Sequence, residues 1–250
     1  MQTPTETPLG GALRSQQTAE WLLQQLRSGQ LAGAVQLPSE QELAGMLGVS
    51  RTVVRDALSV LERAGYMERV RGIGTLVNRE VLEADNRLDQ KIEFYSMIRA
   101  AGYEPHSDTV SVTRETAAPA LAKRLALPAG QEHTLVFVRR RVLAGGRPVL
   151  HSTDIFPLAL LGGRRPDTLD FTQPIFTLLQ TICGLEVTKT LAHLRAVPGP
   201  PAVRRQLELR ADQALMQLDE TCYTRLCQPV LCCRTLFTDF FDFSIVRKLL

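Results

Sequence analysis

Leu37-Pro38-Ser39-Glu40-Gln41-Glu42-Leu43-Ala44 and, after Gly45-Met46, Leu47-Gly48-Val49-Ser50-Arg51-Thr52-Val53-Val54-Arg55-Asp56-Ala57-Leu58 form the stretch on which the reading of the fold turns. Ser39 followed three residues later by Glu42 is a capping box, which starts a helix at residue 40. That helix turns Leu43, Ala44 and Leu47 inward and stops at Gly48. Ser50 caps the next helix, on which Val54, Ala57, Leu58 and Leu61 recur at helical spacing and make one apolar stripe. Gly65 stands where a C-terminal glycine belongs. Only Gly48-Val49-Ser50 separates the two helices, and two short helices joined by a tight glycine turn make a helix-turn-helix.

Working outward, Ala19, Leu22, Leu23 and Leu26 place an earlier amphipathic helix before Gly29 and Gly33. Downstream the period changes from helical to alternating. Residues 66–70 read as a strand, Arg71-Gly72-Ile73-Gly74 as a turn and 75–77 as the returning strand of a hairpin wing. Opposite its apolar stripe, the second helix of the pair presents Arg51, Thr52 and Arg55 near its start. Arginine can donate two hydrogen bonds to a guanine edge, and hydroxyls at a helix N-terminus suit phosphate oxygens, so Ser50 and Thr52 are candidates for backbone contacts. A solvated amphipathic face explains one such helix equally well. The ordered set of cap, tight turn, Arg-Thr helix and glycine wing favours nucleic acid. Between Arg63 and Arg79 four arginines face one acid, Glu68, a local excess suited to a phosphate backbone although a solvated surface also carries such runs.

Composition sets the outer limits. The chain has 250 residues, 44% hydrophobic and 22% charged, with a net charge of +3, which is ordinary for a globular protein of one large or two average domains. No apolar run approaches the roughly 20 residues that span a bilayer, and the polar start lacks a signal-peptide core, so a cytoplasmic protein without membrane contact is expected. The five cysteines, Cys183, Cys222, Cys227, Cys232 and Cys233, form no C-x-x-C pair, and adjacent Cys232 and Cys233 point to opposite faces of any strand. They are expected as structural thiols, with redox sensing by Cys222, Cys232 or Cys233 as the alternative. Four histidines, His106, His133, His151 and His193, show no metal spacing, and no G-x-S-x-G elbow is present; no cofactor and no catalytic residue is expected.

Residues 10–78 are thus expected to be a winged helix-turn-helix domain, 79–90 a polar linker and 91–250 a second domain. In that second part, helices are predicted over 92–101, 119–125 and 174–183. Strands are predicted over 109–113, 133–143, 148–155, 185–197, 215–226, 230–238 and 243–247, with a hairpin at Ala144-Gly145-Gly146-Arg147. Antiparallel hairpins with interspersed helices give an α+β fold with a mainly antiparallel sheet.

The residues from Leu37 to Leu58, with Leu61-Glu62, Gly65 and Gly72-Ile73-Gly74-Thr75, resemble the GntR family of bacterial regulators over about residues 13–78. That resemblance implies that Ser39, Gln41, Ser50, Arg51, Thr52, Arg55, Arg71 and Gly72 face DNA. Gln41 stands where the family commonly has arginine, and Val53 where it often has threonine. The rear part is similar to the UTRA effector domain of the HutC subgroup, with a fold like that of chorismate lyase. The resemblance is carried by Ile98-Arg99-Ala100-Ala101-Gly102-Tyr103-Glu104-Pro105, Leu121-Ala122, Leu125-Ala126-Leu127, Arg139-Arg140-Arg141, Gly146-Arg147-Pro148-Val149, Phe156-Pro157, Gln228-Pro229-Val230 and Phe243-Ser244-Ile245.

It implies a DNA-binding transcription regulator, expected as a repressor, that reads a near-palindromic operator as a homodimer and answers to a small polar or anionic metabolite. A lyase-like enzyme is the remaining alternative. On the strand at 135–143, Val136, Val138, Arg140 and Val142 share one face, a mostly apolar surface with one charge. Arg140 matches one of two arginines that sugar-phosphate-sensing members use. Val142 stands in place of the second, and Ser152 in place of a glutamate. Phe94, Tyr95, Ser96, Arg140, His151 and Ser152 are the expected effector-site residues. The long strands at 215–226 and 230–238 are the expected dimer interface.

Overall fold

Local signals at both ends of each helix shape the N-terminal unit. Helix α2 (Glu40–Leu47) starts at Ser39, whose hydroxyl accepts from the Glu42 amide while the Glu42 carboxylate accepts from the Ser39 amide. It ends at Gly48, whose φ of 62° is the left-handed conformation that L side chains disfavour. Helix α3 (Arg51–Arg63) follows, capped by the Ser50 hydroxyl on the Val53 amide at 3.3 Å. Its far end is a Schellman motif: Gly65 donates to the Glu62 carbonyl and Tyr66 to that of Leu61. The apolar stripes of α1 (Gly11–Ser28), α2 and α3 meet in one core that includes Leu22, Leu26, Leu43, Val54, Leu58 and Leu61. The computed structural model describes residues 11–90 and 93–248, apart from the side chains of 11–13 and 109.

Strands β1 (Met67–Val70) and β2 (Gly74–Val77) form the antiparallel wing. Gln36 makes a single antiparallel bridge to Leu76, and its side chain donates to the Ile73 carbonyl at 2.6 Å. The expected linker carries a short helix, α4 (Arg79–Glu83), started by the Asn78 side chain on the Val81 amide. Within the described residues this unit runs to Asp89 and also takes in the chain from Ser244 onward. The 243–247 strand expected in the rear domain is not there. Ser244 makes one parallel bridge, to Arg87, and its hydroxyl donates to the Asp85 carbonyl, so these residues lie along the N-terminal unit instead. Alternating apolar residues at 243 and 245 imitate a strand, but Ile245 is exposed and no ladder forms.

The second unit, Gln90–Phe243, is built on one antiparallel sheet in the order β3-β4-β5-β8-β7-β6. The strands are β3 (Pro105–Thr116), β4 (Thr134–Ala144), β5 (Arg147–Pro157), β6 (Val187–Val197), β7 (Leu215–Thr224) and β8 (Pro229–Phe237). The β4–β5 turn is made by Gly145 and Gly146, both at positive φ, as a two-residue hairpin requires. Helices α5 (Phe94–Ala100) and α7 (Ile175–Cys183) serve one face of the sheet, where Ile98 meets Val142 and Leu150, and Leu178 meets Val136, Val138 and Phe156. The other face is served by α6 (Pro119–Arg124), which leads into Leu125 against Leu135 and Cys232, and by α8 (Pro201–Gln206), which leads into Leu207 against Leu215 and Leu236. The fold is α+β with a mainly antiparallel sheet, as the sequence leads one to expect. Strands β7 and β8 are interior: each is hydrogen-bonded on both sides, and β6 and β3 are the sheet's edges.

Candidate DNA interface and effector site

Arg51 and Thr52 are exposed on the first turn of α3, and Arg55 follows one turn later. The Arg55 guanidinium is 57% exposed and pairs with Glu40, the first residue of α2, at 3.2 Å. Such a surface pair contributes about 0–1 kcal/mol, so Glu40 orients the arginine without withholding it. Gln41 is exposed on the same first turn of α2. Ser39 and Ser50 spend their hydroxyls on capping, and the bond from Ser39 holds the Glu42 carboxyl below the usual carboxylate range. Arg71 and Gly72 are exposed at the wing tip, with Gly72 at a φ of 80°.

The basic run from 63 to 79 divides into distinct roles. Arg69 is committed to Glu62 through Nε at 2.8 Å and to Ser59 at 3.1 Å, which fastens β1 to α3. Arg79 reaches the Leu26 carbonyl at 3.2 Å and Glu83 at 3.1 Å. Arg71 is left at the tip. Sequence reasoning missed two residues that brace this surface. Gln36 holds the wing turn so closely that a Cβ on Gly74 would sit 2.5 Å from its amide nitrogen. Arg87 is buried, lies 4.7 Å from the Tyr66 ring centroid and donates to the Ala64 carbonyl at 2.7 Å. It places a cation at the C-terminal end of α3, where the helix dipole favours one. Lys248 donates to the Glu62 carbonyl in the same last turn.

In the second unit the sheet gathers most, but not all, of the expected effector residues. Arg140 is fully buried. Its guanidinium pairs with Asp154 and donates to the carbonyls of Gln173 at 2.7 Å and Phe171 at 3.3 Å. Phe94 lies against it, 5.7 Å from ring centroid to Cζ. The Tyr95 hydroxyl bonds Ser107 and the Thr172 carbonyl, so three successive carbonyls, 171 to 173, are clasped by two buried side chains. Ser152 is directly opposite Arg140 in the β4–β5 register. Among the described residues, the Arg140 Nε and the Ser152 Oγ are both buried without a hydrogen-bond partner. Buried polar groups left without a partner are rare in protein interiors. Ser96 is exposed on α5.

His151 does not join them. Alternation along β5 turns it to the opposite face, beside Arg141 and Leu236, where burial and then the charge of Arg139 hold its imidazole below the ordinary range. Asp154, which sequence reasoning did not single out, is on the Arg140 face because it lies two residues beyond Ser152. The cysteines separate in the same way: Cys222 and Cys233 touch at 3.8 Å on the α7 face, whereas Cys232 packs on the other, its thiol pushed up by burial.

The pattern of the gntR family of bacterial regulatory proteins matches residues 14–77, and that of the UTRA domain matches residues 100–239, more than half the chain. The HTH-type transcriptional regulator Rv0792c of Mycobacterium tuberculosis is 26% identical over 88% of this chain and 80% of its own length. The HTH-type transcriptional repressor NagR of Bacillus subtilis is 30% identical over 58% of each chain. Among solved structures, the possible transcriptional regulator YydK of Bacillus subtilis superposes with a TM-score of 0.74 over 94% of this chain and 99% of its own, at 16% identity. That likeness concerns the fold. With the helix-turn-helix geometry and the UTRA match together, this chain belongs to the GntR family of bacterial regulatory proteins, as a DNA-binding transcription regulator with a UTRA effector-binding domain.

Proposed function

We propose that the protein is a cytoplasmic repressor that binds a near-palindromic operator as a homodimer and changes its affinity when a small polar or anionic metabolite enters at Arg140 and Ser152. The observation that carries this reading is the clasp: one buried arginine holds Asp154 and two carbonyls while its Nε and the neighbouring Ser152 hydroxyl stay unmet. An entering anion competes with Asp154 for the guanidinium and loosens the 171–173 segment that leads into α7. A ligand acts only through its difference in affinity between two states, typically about 1–3 kcal/mol of coupling. The route to DNA is supported by Arg87 and Lys248. They lie on the two stretches where the chain leaves and re-enters the N-terminal unit, and they bond the C-terminal end of α3, Lys248 at Glu62 and Arg87 at the capping residue Ala64.

On this reading Arg51 and Arg55 read base edges, with Gln41, Thr52, Arg71 and the Ser39, Ser50 and Gly72 backbone around them on phosphate. The dimer forms at a sheet edge rather than through β7 and β8. Edge strand β6 exposes Leu191 and Leu194, which supports it as the contact. Operator binding measured with Arg51→Ala and Arg55→Ala tests the DNA half, with about a tenfold loss expected for each. Ser152→Ala, which keeps the Arg140 pair, is expected to remove the metabolite response and leave operator binding intact. A normal response in that variant overturns the effector site.

A redox reading is favoured by one contact only, the 3.8 Å approach of Cys222 and Cys233. Oxidation by peroxide would join the two sulfurs, releasing two protons and two electrons. If Cys222→Ser keeps every oxidant effect on operator binding, this reading fails.

A further inference from the structure

A cavity of about 200 Å³ opens on the α6/α8 face of the sheet, the face opposite Arg140. It is lined by three guanidinium groups from three elements, Arg124 of α6, Arg139 of β4 and Arg234 of β8, and by one carboxylate, Asp219 of β7. Strand register explains their convergence. Arg139 pairs with Thr153, Thr153 with Arg234, and Arg234 with Asp219, so the four side chains form one row across four adjacent strands. Strand spacing then sets the two arginine Cα atoms about 10 Å apart with a threonine hydroxyl between them.

The positive charge in this row is incompletely answered. Asp219 is shared: Arg234 reaches it at 3.2 Å, Arg124 at 3.6 Å and the Gln217 amide at 2.8 Å. Arg139 is drawn aside to Thr113 at 2.9 Å and Glu115 at 3.1 Å. Arg124 gives its Nε to Thr221 at 2.6 Å, yet its Nη2 is buried without a hydrogen-bond partner among the described residues. Three arginines therefore share two acids around an open volume, and one buried Arg124 donor goes unused among the described residues. With three guanidinium groups around one shared carboxylate, a further anion in the cavity lowers their mutual repulsion.

We propose that this cavity is a second anion site, separate from the Arg140 effector site, and that it takes a small phosphomonoester. A phosphomonoester carries about −1.5 to −2 charges at pH 7 and offers three acceptor oxygens, enough for one guanidinium each. A carboxylate offers two oxygens and one charge and leaves one arginine unanswered. The Thr153 hydroxyl supplies a further donor. Leu121 and Phe137 give the lining an apolar side on which a short carbon chain can rest.

The test is isothermal titration of the full chain with glycerol 3-phosphate, with inorganic phosphate as the bare headgroup and succinate and glycerol as controls. Glycerol 3-phosphate is expected to bind once per chain, and inorganic phosphate more weakly at the same place. Arg139→Gln and Arg234→Gln, both at partly exposed side chains, are each expected to weaken binding by about tenfold or more. Ser152→Ala on the opposite face is expected to leave the affinity unchanged. Thermal melting of each variant verifies that it is folded, and Arg124→Gln provides a third, independent removal. Absence of binding at about 10 mM glycerol 3-phosphate, a free energy weaker than about −3 kcal/mol, overturns the site. So does succinate binding as tightly, or binding that is lost in Ser152→Ala and kept in the arginine variants.

Discussion

Arg140 and Arg139 are consecutive on one strand, and the two faces of the sheet treat them oppositely. On the α5/α7 face, Arg140 is sealed against Asp154 and two carbonyls beneath a nine-residue helix and the segment leading into it. On the other face, the cover comes from α6 and α8, six residues each, and between the strands and this cover lies the cavity into which Arg139 and Arg234 project. Side-chain chemistry is identical; what differs is the layer above. A continuous cover ties the guanidinium into the structure through Asp154 and the two carbonyls, because a charge removed from water must be paired. It leaves only its Nε and the Ser152 hydroxyl for a ligand that enters beneath the cover. A broken cover leaves it partly hydrated and available to a diffusible anion.

Arg140→Ala breaks this contrast most severely. It strands the Asp154 carboxylate in the interior and frees the Phe171 and Gln173 carbonyls, and breaking a buried pair this way costs about 3–5 kcal/mol. A large drop in melting temperature is expected, which is why the milder Ser152→Ala is the better probe of ligand response. Combining Arg140→Met with Asp154→Leu removes both charges and is expected to recover most of the loss. If denaturant titration gives Arg140→Ala less than about 1 kcal/mol of destabilisation, the face is wetter than the burial of Arg140 indicates, and the contrast between the faces fails.

The same contrast shows what was legible in the sequence. Features encoded within four residues were read directly: the Ser39–Glu42 box, the Gly48 stop, the stripe at Val54, Ala57, Leu58 and Leu61, and the glycine wing. Alternation along one strand also placed Arg140 among valines. Carrying that alternation through the Ala144–Arg147 hairpin pairs Arg140 with His151. A bulge between Leu143 and Val142 shifts the register by one residue, sets Arg140 opposite Ser152 and sends His151 to the other face, and no local signal in the sequence marks it. Other features leave no such trace. The carbonyls of Phe171, Thr172 and Gln173 are recognised as backbone, whatever their side chains. Gln36 reaches Ile73 and Arg87 reaches Ala64 across long sequence separations. Helix α8 is six residues, begun at Pro201 after Pro200, and too short for a period to emerge.

A smaller effect sharpens the comparison through His151, which shares the Arg139 face. Its imidazole is held below the ordinary range by burial and then by Arg139, whereas in the unfolded chain it titrates in the ordinary range. Above that range both states are neutral and this group costs nothing. As pH falls through the ordinary range toward the depressed value, the unfolded state takes up the proton first and stability declines. Chemical denaturation from pH 8 to pH 5 is expected to show that decline, and His151→Gln to flatten it. A profile identical in the two proteins would place His151 in a more open setting.

The smallest expected effect belongs to Arg234, and it discriminates most finely between the faces. Arg234 is 56% exposed and meets Asp219 at 3.2 Å. Its pair lies at the edge of solvent, where such interactions contribute about 0–1 kcal/mol and are screened further by salt. Asp219 is not stranded when Arg234 is cut back, because Arg124 and Gln217 still reach it. Arg234→Ala is therefore expected to change stability by less than about 1 kcal/mol, and relief of its repulsion with Arg124 and Arg139 pushes toward the lower end of that range. Repeating the measurement with the chosen phosphomonoester present separates two roles for the side chain. If the arginine row holds an anion, the ligand raises the melting temperature of the wild type by mass action and raises that of Arg234→Ala much less. A loss of several kcal/mol without ligand would instead make Arg234 as structural as Arg140, and the two faces would then differ in geometry alone.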